Sequence, residues 1–195
     1  MKDYKLVNIV AHHESGHAVL GHLFGHLIAE INVNFDIEKK IPAYTLKQYG
    51  QDTTINNALE KNLPNTLTGI PINEIELSAK KYCTSLLGGP IAEEFCRHGI
   101  ENVKSLQIQN TPDFKMCFQA INILQNINRS KNYSSFLTDC IDLADVALKD
   151  KRVWNTVNLL SEEILNSKEL TLTQKTIYVL FEKGGLNDYK TNKGK

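Results

Sequence analysis

The chain has 195 residues, of which 42% are hydrophobic, and its 22 basic residues balance its 22 acidic residues. This composition is typical of one globular domain with a buried core, and the zero net charge gives no electrostatic reason to expect nucleic acid or an anionic membrane as a partner. The apolar stretches are shorter than the roughly 20 residues of a membrane helix, and residues 1–5 do not begin a signal peptide, so we expect a cytoplasmic protein without a transmembrane segment.

The first predicted element is a helix over residues 6–28, in which apolar residues form one broad stripe at the helical period. Residues 31–37 then alternate apolar and polar side chains, which predicts a half-buried strand with an edge that could accept an extended peptide. A second strand is predicted at residues 43–49. Residues 50–71 have no clear period and contain Asn, Thr, Gly and Pro, which predicts a long irregular loop.

The rest of the chain, after residue 73, is predicted to be helical. A helix over residues 75–87 is expected to end at Gly88-Gly89, and Pro90 is expected to open the next helix. Thr111-Pro112-Asp113 has the pattern of an N-cap followed by the first two positions of a helix. Further helices are predicted over residues 136–148, 153–165 and 171–181, and the polar tail at residues 187–195 is expected to be disordered.

The strongest motif is the run His13-Glu14-Ser15-Gly16-His17. On a helix, side chains four residues apart lie about 40° apart, so both imidazoles can reach one tetrahedral zinc ion. Glu14 lies beside them and can take a proton from a metal-bound water and pass it to a leaving amine. The HExxH spacing therefore predicts a zinc hydrolase site in which Glu14 is the general base.

The remaining histidines are not expected to share this ion. His22 and His26 are also four residues apart, but they project about 180° away from the motif and are predicted to face solvent. His12 lies about 100° from its neighbour His13 on the helix, and His98 is expected at a surface or a helix end.

A hydrolytic zinc site needs a third protein ligand and one open position. Leu20 and Leu23 occupy the positions at which HExxHxxGxxH needs glycine and histidine, which argues against a metzincin. The carboxylate candidates for the third ligand are Glu93, Glu94 and Asp113, and spacing alone does not choose among them.

Three segments carry a resemblance to a known family: HESGHA at residues 13–18, GGPIAEE at residues 88–94, and Pro112-Asp113. They resemble, in the same order, the HEAGHA, GGRxAEE and Asn-Asp segments in the peptidase domain of FtsH, the family of ATP-dependent, membrane-anchored zinc proteases. The similarity extends over residues 7–181. No Walker A pattern is present, so the expectation is an FtsH-like zinc peptidase domain, at residues 1–186, that stands without the ATPase module.

The resemblance implies three zinc ligands, which are His13, His17 and Asp113. It implies that Glu14 is the general base, and that Glu93 orients one of the ligand histidines. The fold implied is mainly α, with a zincin-like HExxH helix, a small β element after it and a C-terminal helical bundle.

Two functions remain open from the sequence, beside a third possibility that the HExxH spacing is a coincidence in a helical protein without a metal site. The first is a zinc endopeptidase that acts on peptides or unstructured protein segments, and the alternative is a non-catalytic, metal-stabilised binding or regulatory protein with the same fold. Glu14 favours the enzyme, because a structural metal site needs no general base. The expected partner is thus a peptide or unfolded protein; a homo-oligomer is compatible with the resemblance, and whether a separate ATPase delivers substrates is open.

Overall fold

The computed structural model describes residues 4–34, 42–48, 53–100 and 107–193. Over these ranges the chain is mainly helical with a small antiparallel sheet, as predicted. The helices are α1 (Tyr4–Leu23), α2 (Thr53–Glu60), α3 (Ile72–His98), α4 (Pro112–Ile127), α5 (Phe136–Lys149), α6 (Lys151–Asn166), α7 (Gln174–Lys183) and α8 (Leu186–Lys193). The strands are β1 (Leu27–Asn32), β2 (Tyr44–Gln48) and β3 (Thr171–Thr173). Within the described ranges, no helix has both the length and the hydrophobicity needed to cross a bilayer.

Helix α1 ends earlier than predicted because Gly25 closes it. Gly25 has a φ of 93°, and the backbone N–H groups of Gly25 and His26 bond to the carbonyls of His22 and Gly21. This is a Schellman motif, in which glycine takes the left-handed conformation at the helix end. The chain therefore enters β1 at residue 27. The apolar stripe had predicted helix to residue 28, and the alternation of apolar and polar residues had predicted a strand over residues 31–37. Residues 35–37 of that predicted strand lie outside the described residues.

The sheet has the order β2-β1-β3, and both pairings are antiparallel. Ile31 of β1 lies opposite Thr45 on one side and Leu172 on the other. Among the described strands, β1 is thus central and β2 and β3 lie at the edges, so the edge that could accept a peptide is not on β1. Residues 171–173, predicted as the first turn of a helix, form β3, and α7 begins after them at Gln174.

Helix α3 is continuous through Gly88, Gly89 and Pro90, although these residues were predicted to separate two helices. The glycines serve helix packing here. A Cβ on Gly88 would lie 2.6 Å from the carbonyl oxygen of Gly16, and a Cβ on Gly16 would overlap the carbonyl of Gly88. Because neither residue has a Cβ, α1 and α3 cross with their backbones in contact.

Two further stretches are more ordered than predicted. Part of the expected loop at residues 50–71 forms α2, with Ile55, Ala58 and Leu59 buried at helical spacing, and a 3-10 turn at Pro64–Leu67. Part of the expected disordered tail forms α8, which buries Leu186 and Tyr189; residues 194–195 lie outside the described ranges. In both cases a few apolar side chains at helical spacing are enough to attach a polar segment to the core.

The predicted helices at residues 136–148 and 153–165 are confirmed as α5 and α6. The predicted N-cap is confirmed too, since the hydroxyl of Thr111 accepts a hydrogen bond from the backbone N–H of Phe114 at 3.2 Å. This cap fixes the first turn of α4, on which Asp113 lies.

Candidate metal centre

The crossing of α1 and α3 orients the two motif histidines. The Nδ1 atom of His17 lies 3.2 Å from the backbone carbonyl of Ser85, and that of His13 lies 3.0 Å from a carboxylate oxygen of Glu93. Both partners are acceptors, so in the neutral rings both Nδ1 atoms donate. In this neutral state both Nε2 atoms carry a lone pair, and they lie 3.1 Å apart.

The first turn of α4 brings Asp113 to the same point. Its two carboxylate oxygens lie 3.6 Å from the Nε2 of His13 and 3.3 Å from the Nε2 of His17. Glu93 lies on the far side of His13, and Glu94 is directed towards His98 at 3.7 Å. Of the three carboxylate candidates, Asp113 is the one that meets both Nε2 atoms.

This arrangement requires positive charge. Two nitrogen lone pairs and a carboxylate repel one another at these distances unless a proton or a cation lies between them. Although burial lowers it, the pKa of His13 is raised to about 10 by hydrogen bonds to Asp113 and Glu93. Burial raises the pKa of Asp113, but His17 and His13 hold it far below its usual range.

The three donor atoms fit a divalent metal ion. The two Nε2 atoms are 3.1 Å apart, and one oxygen of Asp113 lies 3.6 Å from His13 and the other 3.3 Å from His17. These distances are close to the edge of about 3.4 Å expected for a tetrahedron with metal–ligand distances near 2.1 Å. Among the described residues, His13, His17 and Asp113 are the group of side chains that could hold such an ion. Two imidazoles and a carboxylate suit zinc, and three protein ligands leave one position open.

Gly89 leaves space beside the two histidine rings. A Cβ at this position would lie 2.8 Å from the Nε2 of His13 and closer still to the ring of His17. In the sequence, Gly89 has the pattern of a helix stop, and only the crossing of α1 with α3 shows that it borders the rings of His13 and His17.

Glu93 is itself held in place by Arg97, one helical turn later. The guanidinium of Arg97 donates to the second carboxylate oxygen of Glu93 at 2.7 and 3.0 Å. The hydrogen bond from His13, and secondarily that from Arg97, lowers the pKa of Glu93. A charged acceptor behind His13 fixes its tautomer and increases its basicity as a ligand. The Glu93–Arg97 spacing was readable in the sequence, whereas the Ser85 carbonyl had no signal.

Glu14 is buried beside the ligands and faces β2. The hydroxyl of Thr45 lies 2.8 Å from a carboxylate oxygen of Glu14 and 2.9 Å from its backbone carbonyl. Glu14 and the three ligand side chains line one cavity of about 570 Å³. The cavity is bordered along one side by residues 42–47 of the segment that contains β2.

The other histidines lie elsewhere. The prediction that His22 and His26 face solvent is wrong. His26 is buried, and the His22 ring stacks on Phe181 of α7 with centroids 4.4 Å apart. The polar outer face of α1 is covered by a helix more than 150 residues away, which no local pattern reveals. His12 directs its Nδ1 to the carbonyl of Asn8 at 2.9 Å, and His98 is exposed at the end of α3, as predicted.

The chain matches no protein-family model, and no curated protein shows significant similarity to it. What the centre does is therefore inferred from the geometry of its own residues.

Proposed function

We propose that this protein is a zinc-dependent metallopeptidase, related to the FtsH peptidases, that hydrolyses peptide bonds in peptides or unstructured protein segments. The observation that supports this most directly is the meeting of three donor atoms with a buried carboxylate in one open cavity. His13, His17 and Asp113 supply the donors, and Glu14 is the carboxylate. The three segments behind the family resemblance come from α1, α3 and α4, and they lie together at this point.

Zinc, when bound, lowers the pKa of a coordinated water and polarises the carbonyl of the scissile bond. The protein residues do the rest. Ser85 and Glu93 keep both Nδ1 atoms protonated, so the Nε2 lone pairs remain directed at the metal position. Glu14 accepts the proton of the attacking water and returns it to the leaving amine.

The free edge of β2 is suited to an extended substrate. Successive side chains of a strand point to opposite faces, yet the four consecutive residues 44–47 of β2 all border the cavity, as expected where a strand edge lines it. The other edge of β2 is paired with β1. A peptide that adds to the free edge of β2 would present its backbone next to Glu14 and the metal ligands.

Zinc content and turnover, measured together, test the proposal. The purified protein should hold about one equivalent of zinc, and His13→Ala should lose it, whereas the neighbouring substitution His12→Ala should retain it. Glu14→Gln should keep the zinc and lose cleavage of an unfolded protein such as casein by at least about 100-fold. Undiminished cleavage by zinc-loaded Glu14→Gln would show that Glu14 is not the base.

The same measurements address the alternative of a metal-stabilised binding protein. That alternative predicts a lower melting temperature after chelation but no zinc-dependent cleavage of any unfolded substrate. The hydrogen bond from Thr45 to the carboxylate of Glu14 favours the enzyme, because it positions a group that a purely structural metal site would not use.

A further inference from the structure

Lys47 is a basic side chain in the wall of the metal cavity that the proposed reaction leaves without a function. It follows Thr45 by two residues on β2, so both side chains lie on the same face of the strand, about 7 Å apart. Leu46 and Tyr44, on the opposite face, are exposed. Because Thr45 contacts Glu14, Lys47 is directed to the side of the strand on which the catalytic carboxylate lies.

The immediate contacts of Lys47 are neutral. Its ammonium group donates to the hydroxyl of Ser85 at 3.3 Å, and that hydroxyl donates to the carbonyl of Tyr82 at 3.0 Å. Its stem crosses α1 at Gly21, where an added Cβ would lie 3.4 Å from the Cε of Lys47. One hydrogen bond to a hydroxyl does not offset the free-energy cost of removing an ammonium group partly from water.

The charged groups around Lys47 also leave its ammonium group without a carboxylate of its own. Burial lowers its pKa to about 8, and the attraction of Asp113 and Glu14 opposes this shift. Both of these carboxylates have other functions, since Asp113 is a metal ligand and Glu14 is the base. Glu60 also borders the cavity, but it is exposed at the end of α2, where solvent screens its charge.

Among the described residues that line the cavity, Lys47 is thus the cation that is not part of the metal site. We infer that Lys47 binds a carboxylate of the substrate, so that the enzyme prefers peptides with an acidic group near the scissile bond. This inference rests on the proposed function. The carboxylate can be the side chain of Asp or Glu or the free C-terminus of the peptide.

The two-residue separation of Thr45 and Lys47 on β2 predicts which residue of the substrate carries this carboxylate. A peptide that pairs with β2 advances by about 7 Å every two residues, as the strand itself does. If the scissile bond lies beside Glu14, the group opposite Lys47 belongs to a residue about two positions away. The preference should therefore be confined to one position of the substrate.

Matched peptides test the inference. Pairs that differ only by Glu or Gln at one position near the cleaved bond, and pairs with a free or an amidated C-terminus, separate the two sources of carboxylate. The zinc-loaded protein should favour one acidic member by about 10- to 100-fold in kcat/KM, the value of a hydrogen bond between charged groups. Lys47→Met should abolish this ratio, and Lys47→Arg should restore most of it. Lys149→Met, at an exposed lysine on α5, should leave the ratio unchanged.

A binding experiment separates failure of this inference from failure of the proposed function. Fluorescence anisotropy with zinc-loaded Glu14→Gln should show the same preference for the acidic peptide, and adding Lys47→Met should remove it. A charge preference in binding without cleavage by the wild-type protein would support the function of Lys47 and refute the peptidase.

Cleavage with equal rates for acidic and neutral peptides would refute the function of Lys47 alone, and the absence of both binding and cleavage would refute both. A purely structural function of Lys47, exerted through Ser85 on His17, predicts a different result. Lys47→Met would then lower zinc affinity and slow all peptides equally, which would overturn the inference.

Discussion

The hydroxyl of Thr45 on β2 lies within hydrogen-bonding distance of both the carboxylate and the backbone carbonyl of Glu14 on α1, at 2.8 and 2.9 Å. The hydroxyl has one proton and can donate it to either oxygen. This contact connects the proposed general base directly to the strand on which we expect the substrate to bind.

Thr45→Val should therefore lower kcat without loss of metal. Valine has nearly the same shape, but it leaves the Glu14 carboxylate without this hydrogen bond and free to change its orientation. We expect kcat to fall by about 10- to 100-fold while zinc content stays at the wild-type value. Thr138→Val, at an exposed position of α5, is the control. A wild-type kcat would mean that Glu14 is positioned by other contacts.

Glu93→Gln should weaken zinc binding. Glutamine can still accept a hydrogen bond from the Nδ1 of His13, but it lacks the charge that makes the ring a better ligand. Loss of such a partner typically lowers metal affinity about 10- to 100-fold, which competition with a chromophoric chelator would measure. Glu74→Gln, at an exposed residue in the first turn of the same helix, should have no effect. An unchanged zinc affinity would mean that Glu93 only forms the ion pair with Arg97 and does not strengthen His13 as a ligand.

Gly89→Ala should exclude the metal from a folded protein. The added Cβ would lie 2.8 Å from the Nε2 of His13 and press against the ring of His17. Alanine is a better helix former than glycine by about 1 kcal/mol, so α3 itself should not unfold. We expect native circular dichroism with much less than one equivalent of zinc. In the control, Gly21→Ala, the nearest atom is the flexible Cδ1 of Ile28 at 3.1 Å, and zinc should remain.

A pH-dependent stability term is expected away from the metal centre, at Glu76. Lys131 donates to its carboxylate at 2.6 Å, and the hydroxyl of Tyr133 donates to the other oxygen. Lys131 first, and then Tyr133, lowers the pKa of Glu76 in the folded protein. A lowered pKa stabilises the fold above the unfolded value of about 4.3, and this contribution disappears as the pH falls through the folded value.

Glu76→Gln should accordingly lower the free energy of unfolding by about 1 kcal/mol at pH 7, since Lys131 is half exposed and solvent screens the pair. Urea denaturation at a series of pH values would show the mutant and wild-type curves converging below about pH 4. Glu162→Gln, at an exposed residue of α6, should follow the wild type at every pH. A difference that persists at low pH would mean that the carboxylate charge is not the cause.

Much of the helical architecture followed from the sequence, because helical periodicity is a property of neighbouring residues. The amphipathic patterns predicted α5 and α6 almost to the residue, and Thr111 marked the start of α4. The predictions that were wrong depend on distant parts of the chain. The pair Gly88-Gly89 is compatible both with the end of a helix and with a close crossing of two helices. Only the approach of α1 distinguishes these possibilities.

The sequence by itself determined that His13 and His17 share one helix face and that Glu14 lies beside them, because a turn of 100° per residue sets that relationship locally. The tertiary structure decided which carboxylate joins them. Asp113 is about 100 residues away in the chain, and its place opposite the Nε2 atoms depends on how α4 packs against α3. The crossing of α1 and α3 brings the Ser85 carbonyl to His17, and the packing of β2 against α1 brings Thr45 to Glu14; no pattern of side chains encodes either contact.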